Sequence, residues 1–345
     1  MTIALSVVAP TICSASPPAA SGAVIPQEPA GLADVLSFAA ACNYRFTTPT
    51  PLTHQRLLAN SAGRTNNTLR DIFGWNLSFP ESAVAPQMFA TMLRAGALRS
   101  CGQLWRSTVR IASIDSDLFL HSAFPTIQSD AVFFGPDTYR FVRFLRQALQ
   151  QGVLVARDGE VRVVDVGCGS GAGGIVAARL LAGYAERITL FCNDINPLAL
   201  QYTTVNAAHA GVPIQLAPGD ALSAVHGEFD LIISNPPFLN DLAQRAYRHG
   251  GGDLGSALSV RIATEAIGRL APGGSLILYT GVAMIDAGDP FLVAVLPMLM
   301  AANCDWSYEE IDPDIFGEEL EQPGYAGVER IAAVGLVVTR RRHPR

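Results

Sequence analysis

The chain contains no lysine: all 24 of its Lys and Arg positions are arginine. Codon preference in a GC-rich genome accounts for that bias without any functional argument. Charge is scarce too, at 16% of the 345 residues, while 49% are hydrophobic. This balance supplies a buried core and excludes wholesale disorder. Cysteine is sparse and scattered (Cys13, Cys42, Cys101, Cys168, Cys192 and Cys304), with no C-x-x-C pair and no histidine clustered nearby. That spacing argues against a zinc site and against a disulfide framework. No apolar run reaches the roughly 18 residues that a membrane-spanning helix needs. The first basic residue is Arg45, so the start lacks the cationic segment of a signal peptide. The expectation is a soluble cytoplasmic protein with reduced thiols and no membrane partner.

A net charge of −6 gives no global attraction to a polyanion. Residues 40–150 nevertheless hold eleven Arg against six acids, a net +5 that leaves −11 for the remainder. Such asymmetry permits an anionic partner for the N-terminal part, nucleic acid included, without requiring one.

The length exceeds what one core usually organises, so two units are expected. Residues 1–30, rich in Ala, Ser and Pro, read as a flexible tail. Residues 31–130 read as an accessory or substrate domain. Leu32, Val35, Leu36 and Ala39 recur at helical spacing, and a second helix over 85–98 gathers Met88, Phe89, Met92 and Leu93 on one face. Alternating runs over Leu104–Ile114 and Leu118–His121, joined by Asp115-Ser116-Asp117, suggest one β-hairpin. Helix, helix and hairpin make a small α+β, winged-helix-like module; a substrate-side or dimerisation domain that touches no nucleic acid has the same pattern.

Residues 131–345 alternate strand and helix. A helix runs from Thr138 to about Gln150, then strands are expected over 161–166, 188–193, 214–217, 229–234, 275–280, 306–311 and 332–339, with helices between the first six. Several of these runs are near-continuously apolar, as expected in a parallel sheet covered on both faces. The fold class is α/β: a doubly wound, seven-stranded, mostly parallel Rossmann-like sheet ending in an antiparallel hairpin.

The chemistry concentrates at strand ends. Val163-Val164-Asp165-Val166-Gly167-Cys168-Gly169-Ser170-Gly171 is a strand running into a glycine turn that opens a helix. Gly167, Gly169 and Gly171 let backbone approach a ligand closely. Asp165, directly before the turn, would repel a pyrophosphate but suits a cationic amino-acid group. Asp194 closes the next strand, where an acid can accept from both hydroxyls of a ribose. Gly219-Asp220-Ala221 follows the third, where Asp220 can accept from the exocyclic amine of adenine. After the fourth strand comes Asn235-Pro236-Pro237-Phe238.

Taken together, these residues resemble the class I S-adenosylmethionine-dependent methyltransferases, and among them the group with an Asn-Pro-Pro-aromatic tetrad. That group contains HemK-type protein-glutamine methyltransferases, small-domain ribosomal-RNA guanine methyltransferases and adenine-amine DNA methylases. The resemblance covers roughly residues 130–340. It implies S-adenosyl-L-methionine as cofactor, held by Asp165, Gly167, Gly169, Gly171, Asp194, Asp220, Ala221 and Asn235. Phe133 to Tyr139 is similar to the loop that precedes the cofactor domain in HemK-type enzymes, which offers Phe134 and Asp137 to close over the cofactor; Asp137 could equally cap a helix. Gly250 to Gly255 is similar to their glycine-rich segment after the tetrad.

The tetrad suits nitrogen methylation. An amide or arylamine nitrogen is a poor nucleophile because its lone pair is delocalised. The Asn235 side-chain carbonyl and the Pro236 backbone carbonyl can hold its two N–H groups, while the prolines preorganise both acceptors. Phe238 offers a face for a planar amide or base. The acceptor stays open among a protein glutamine, an RNA or DNA base and a small amine. Two rival activities share these residues: a cyclase using S-adenosylmethionine as its own substrate, as azetidine-2-carboxylate synthases do, and a non-catalytic S-adenosylmethionine-binding module. Tyr247, Arg248 and His249 either line the acceptor pocket or form a solvated loop. The acidic run Glu309 to Glu321 either selects a cationic substrate or is solvated, and Arg340-Arg341-Arg342 reads as a charged tail.

Overall fold

Phe229–Ser234 is apolar at four of its six positions, and it forms a strand buried along its whole length. A strand in the middle of a sheet covered on both faces is buried that way. A computed structural model describes residues 27–60, 68–153, 159–286 and 288–342. The tail expected over 1–30, and Cys13 with it, lies up to residue 26 outside the described residues.

The N-terminal layer contains helices α1 (Pro29–Ala41), α2 (Pro51–Ala59) and α3 (Pro86–Arg94), then strands β1 (Leu98–Cys101), β2 (Leu104–Ser107), β3 (Val109–Ile114) and β4 (Asp117–Ser122). Beyond it run α4 (Pro136–Gln150), β5 (Glu160–Val166), α5 (Ala172–Leu181), β6 (Arg187–Asp194), α6 (Pro197–Ala210), β7 (Gln215–Pro218), β8 (Phe229–Ser234), α7 (Ala257–Ile267), β9 (Leu270–Met284), α8 (Pro290–Ala301), β10 (Cys304–Asp312) and β11 (Arg330–Arg340).

The seven strands β5 to β11 make one sheet in the order β10-β11-β9-β8-β5-β6-β7, parallel except where β11 pairs antiparallel with both neighbours. The doubly wound sheet and its closing hairpin are as the sequence implied. Side chains alternate between faces with period two. Val163, Leu231 and Ile277 face a core shared with α4 and α5, whereas Val164, Ile232 and Leu276 face one shared with α7 and α8. Between β7 and β8 the expected helix is only a short 3₁₀ turn, Ala221–Ala224, because the connection is too short for more. Strand order reverses between β5 and β8, which opens a crevice at their carboxyl ends. Among the described residues no helix is long and apolar enough to cross a membrane.

The single hairpin expected over residues 104–121 is two hairpins. Gly102, at φ +68°, turns β1 back into β2, and β3 pairs separately with β4. Thr108 breaks the run between them: its backbone N–H donates to Ala97 O at 2.9 Å and its hydroxyl to Gly96 O at 2.9 Å. The N-terminal layer also shares apolar packing with α6, since Leu32, Leu36, Phe73 and Met92 join Tyr202 and Val205 in one cluster. Asn206 stitches the two parts together. Its side chain accepts from Leu120 N (2.8 Å) and donates to Leu120 O (3.1 Å) and Ser170 O (2.8 Å), tying β4 to the glycine turn.

Candidate active site

The crevice at the sheet's carboxyl edge is a cavity lined by Asp165, Gly167 to Ser170 of the glycine turn, Asp194, Asp220, Ala221 and the tetrad Asn235 to Phe238. Gly171, offered as a cofactor residue, does not line it, and a β-carbon there would meet Thr203 at 2.9 Å. Gly167, Gly169 and Gly171 take φ of +71°, +56° and +78°. A β-carbon on Gly167 or Gly169 would meet nothing within 4 Å, so their side-chain directions open onto free space. The turn is held from behind, as Asn193 O accepts from the N–H groups of Gly167 and Cys168, both at 2.9 Å.

Asp165 is buried, and its Oδ2 accepts from Gly174 N at 2.7 Å in the first turn of α5. Burial, with a smaller push from the Asp194 charge, raises its pKa to about 7 against the pull of the Gly174 N–H. Asp194 Oδ2 accepts from Gly169 N (2.9 Å) and Oδ1 from Asn196 N (2.8 Å). Burial raises its pKa as well. Each carboxylate keeps unused lone pairs. Asp220 is different: Arg261 grips it bidentately, at 2.7 and 2.6 Å, and that pairing lowers its pKa. Ala221 follows it at φ +46°.

The tetrad is braced by glycines. A β-carbon on Gly250 would lie 1.8 Å from Gly255 O and 2.7 Å from Pro237 O; one on Gly255 would lie 2.3 Å from Phe238 O. The loop after the tetrad therefore packs backbone to backbone against it. Among the described residues the Asn235 side chain makes no hydrogen bond, and no donor reaches the Pro236 carbonyl. Phe238 is given mainly to the core: its ring lies against Gly281 and makes edge contacts with Tyr279 and Phe316, leaving it 8% exposed.

Phe134 requires a correction. It lies away from this cavity, fully buried among Phe119, His121 and Tyr139. Its neighbour Phe133 lines the cavity instead, because successive side chains in extended backbone point to opposite sides. Asp137 also lines it, but Gly135 holds the cap position of α4 and Asp137 accepts from the Tyr279 hydroxyl at 2.7 Å. Burial raises the pKa of Asp137.

Among proteins of known family, residues 142–284 match the methyltransferase small domain. A release factor glutamine methyltransferase from Koribacter versatilis is 30% identical over 49% of this chain and 60% of its own. A second, from Deinococcus radiodurans, is 32% identical over 46% and 55%. A ribosomal RNA small subunit methyltransferase C from a Shewanella strain is 43% identical, over 24% of this chain and 23% of its own. The chain thus spans at most 60% of the length of these relatives.

The sequence patterns left several cavity residues unassigned. Ile195, next to Asp194, is 65% exposed and lines the cavity; an apolar residue after a strand-end acid was the available signal. Ile262 of α7 and Phe316 line it from elsewhere in the chain, where no local pattern marks them. Tyr247 and Arg248 line the cavity too, whereas His249 does not. Arg248 is paired with buried Glu319, so part of the acidic run is an internal partner rather than a solvated loop. Arg340 and Arg341 pair with Glu228 and Asp305. No group of three potential metal ligands occurs among the described residues.

Proposed function

We propose that this chain is an S-adenosylmethionine-dependent methyltransferase acting on an amide or amine nitrogen. The observation that carries the reading is the pair of unengaged acceptors, Asn235 Oδ1 and Pro236 O, on a backbone braced by Gly250 and Gly255 at the mouth of a glycine-turn cavity. The cavity's residues fit the cofactor. Open space at Gly167 and Gly169 accommodates its backbone-like chain, Asp165 suits its ammonium group, and Asp194 has lone pairs free for ribose hydroxyls. Exposed Ile195 supplies an apolar face for adenine. Asp220 can accept from the adenine amine only while still held by Arg261.

When bound, S-adenosylmethionine supplies an electrophilic methyl group on a sulfonium sulfur. Asn235 and Pro236 would accept from the two N–H groups of the acceptor nitrogen and aim its lone pair at that methyl. They stabilise the positive charge that develops as the N–C bond forms and the S–C bond breaks. One of the held protons then leaves to water. The name of one relative, a release factor glutamine methyltransferase, is consistent with an amide nitrogen as acceptor.

The test is incubation with S-adenosylmethionine, alone and with glutamine peptides, nucleosides or small amines, followed by mass spectrometry. S-adenosylhomocysteine formed in step with a methylated acceptor supports the reading. Methylthioadenosine formed without any acceptor would overturn it in favour of cyclisation.

A further inference from the structure

A second cavity, of about 250 Å³, lies between the N-terminal layer and the loop after the tetrad. Arg110, on β3, is among its walls and is only 4% exposed. Its Nε donates to Gly74 O at 2.9 Å and its guanidinium sits 5.9 Å from the centre of the Phe46 ring. No carboxylate among the described residues pairs with it, and its Nη2 is buried without an acceptor. Arg140, Arg245 and Arg248, by contrast, each have an acidic partner.

Two further wall residues are orphaned in the same way. His54 is buried with Nε2 2.9 Å from the Trp75 carbonyl, so Nε2 carries the hydrogen and the Nδ1 lone pair has no donor. The Thr48 hydroxyl is buried and unpartnered. Burial holds His54 neutral, with its pKa down to about 4, while Arg110, pushed down to about 10, stays a cation near neutrality. An uncompensated buried charge is costly and calls for a partner.

Phe133, Tyr247 and Arg248 line both this cavity and the one holding the tetrad, and the Phe133 and Tyr247 rings stack at 6.2 Å. We propose that the second cavity binds a carboxylate or phosphate group of a small acceptor molecule, paired with Arg110, while the acceptor's nitrogen lies at Asn235. The anion would accept from Arg110 Nη2 and the Thr48 hydroxyl. His54 Nδ1 would take an O–H or N–H of the same ligand, so monohydrogen phosphate or a carboxylate with a neighbouring hydroxyl satisfies all three. Full burial of Nη2 in so small a space favours a small molecule over a polymer chain. The assignment of the ligand to the acceptor rests on the methyl-transfer reading; the anion site itself does not.

The experiment is thermal unfolding of the full chain with inorganic phosphate or glycolate at constant ionic strength, chloride serving as the control anion. One of the two probes should raise Tm saturably in the millimolar range, and which one does so separates phosphate from carboxylate. Arg110→Met should unfold at a higher temperature than the wild type without ligand and lose the response. Thr48→Val, nearly isosteric, should bind the probe about tenfold more weakly while S-adenosylmethionine affinity stays within about twofold. The absence of any saturable rise, an undiminished rise in Arg110→Met, or unchanged probe affinity in Thr48→Val would overturn the proposal. These measurements use no cofactor turnover. Failure to bind S-adenosylmethionine would sink the methyl-transfer reading and leave the anion result standing.

Discussion

Asp194 accepts a hydrogen bond from the backbone N–H of Gly169 at 2.9 Å, so the acid ending one strand fastens the glycine turn that follows its neighbour. Both β5 and β6 contribute to one ligand surface through that bond. Asp194→Ala should therefore lose a ribose acceptor and loosen the turn together, weakening S-adenosylmethionine by about tenfold or more. Asp194→Asn keeps one acceptor and should fall between. Titration calorimetry on both variants decides it, and an unchanged affinity for Asp194→Ala would remove the residue from the cofactor site.

Two glycines should fail in opposite ways. A methyl on Gly169 meets nothing, but the backbone at φ +56° costs a non-glycine residue about 1 kcal/mol and the methyl enters ligand space. Gly169→Ala should fold with a slightly lower Tm and bind cofactor poorly. A methyl on Gly250 lands on the backbone oxygen of Gly255, which cannot yield cheaply. Gly250→Ala should displace the tetrad's brace and lower Tm much further. Equal Tm losses would show that the brace is not rigid.

Asn235→Ala removes one of the two unengaged acceptors and nothing that supports the fold. Turnover should drop by about 10²–10³-fold, the usual effect of deleting one preorganised polar group, with cofactor affinity within a few-fold. If cofactor binding vanished as well, Asn235 would be a cofactor residue rather than an acceptor residue.

The central strands β5, β8 and β9 were legible because buried strands are largely apolar, as in Phe229–Ser234. The strand-end acids and glycine turn were legible because ligand chemistry concentrates there. Phe134 was misread for a local reason: in Phe133-Phe134 sequence cannot say which ring turns to the cavity, and tertiary packing against Phe119 and His121 decides it. The Arg261 grip on Asp220 and the orphaned Arg110 were invisible because each depends on groups far away in the chain. The break at Thr108 escaped because alternation continues through it, while its hydrogen bonds to Gly96 and Ala97 do not.

Asp165 links the site to pH. Its pKa rises from 3.8 unfolded to about 7 folded, chiefly through burial, so over that window the folded state binds the extra proton and stability falls as pH rises. Asp194, also raised, acts in the same direction. His54 opposes them: its pKa drops from 6.5 to about 4, so it stabilises increasingly as pH rises across the same range. The wild-type curve therefore blends opposing slopes, and a difference isolates the carboxylate. Asp165→Asn keeps an acceptor for Gly174 N–H but cannot ionise. Its stability relative to wild type should grow between about pH 4 and about pH 7 and then level off, by an order of about 4 kcal/mol. Urea denaturation of both proteins across that range measures it. Over the same interval wild-type affinity for S-adenosylmethionine should strengthen with pH as the carboxylate charges against the cofactor's ammonium, and Asp165→Asn should lose the trend. A pH-independent stability difference would mean that Asp165 is not held protonated by burial, and the pH dependence of cofactor binding would need another residue.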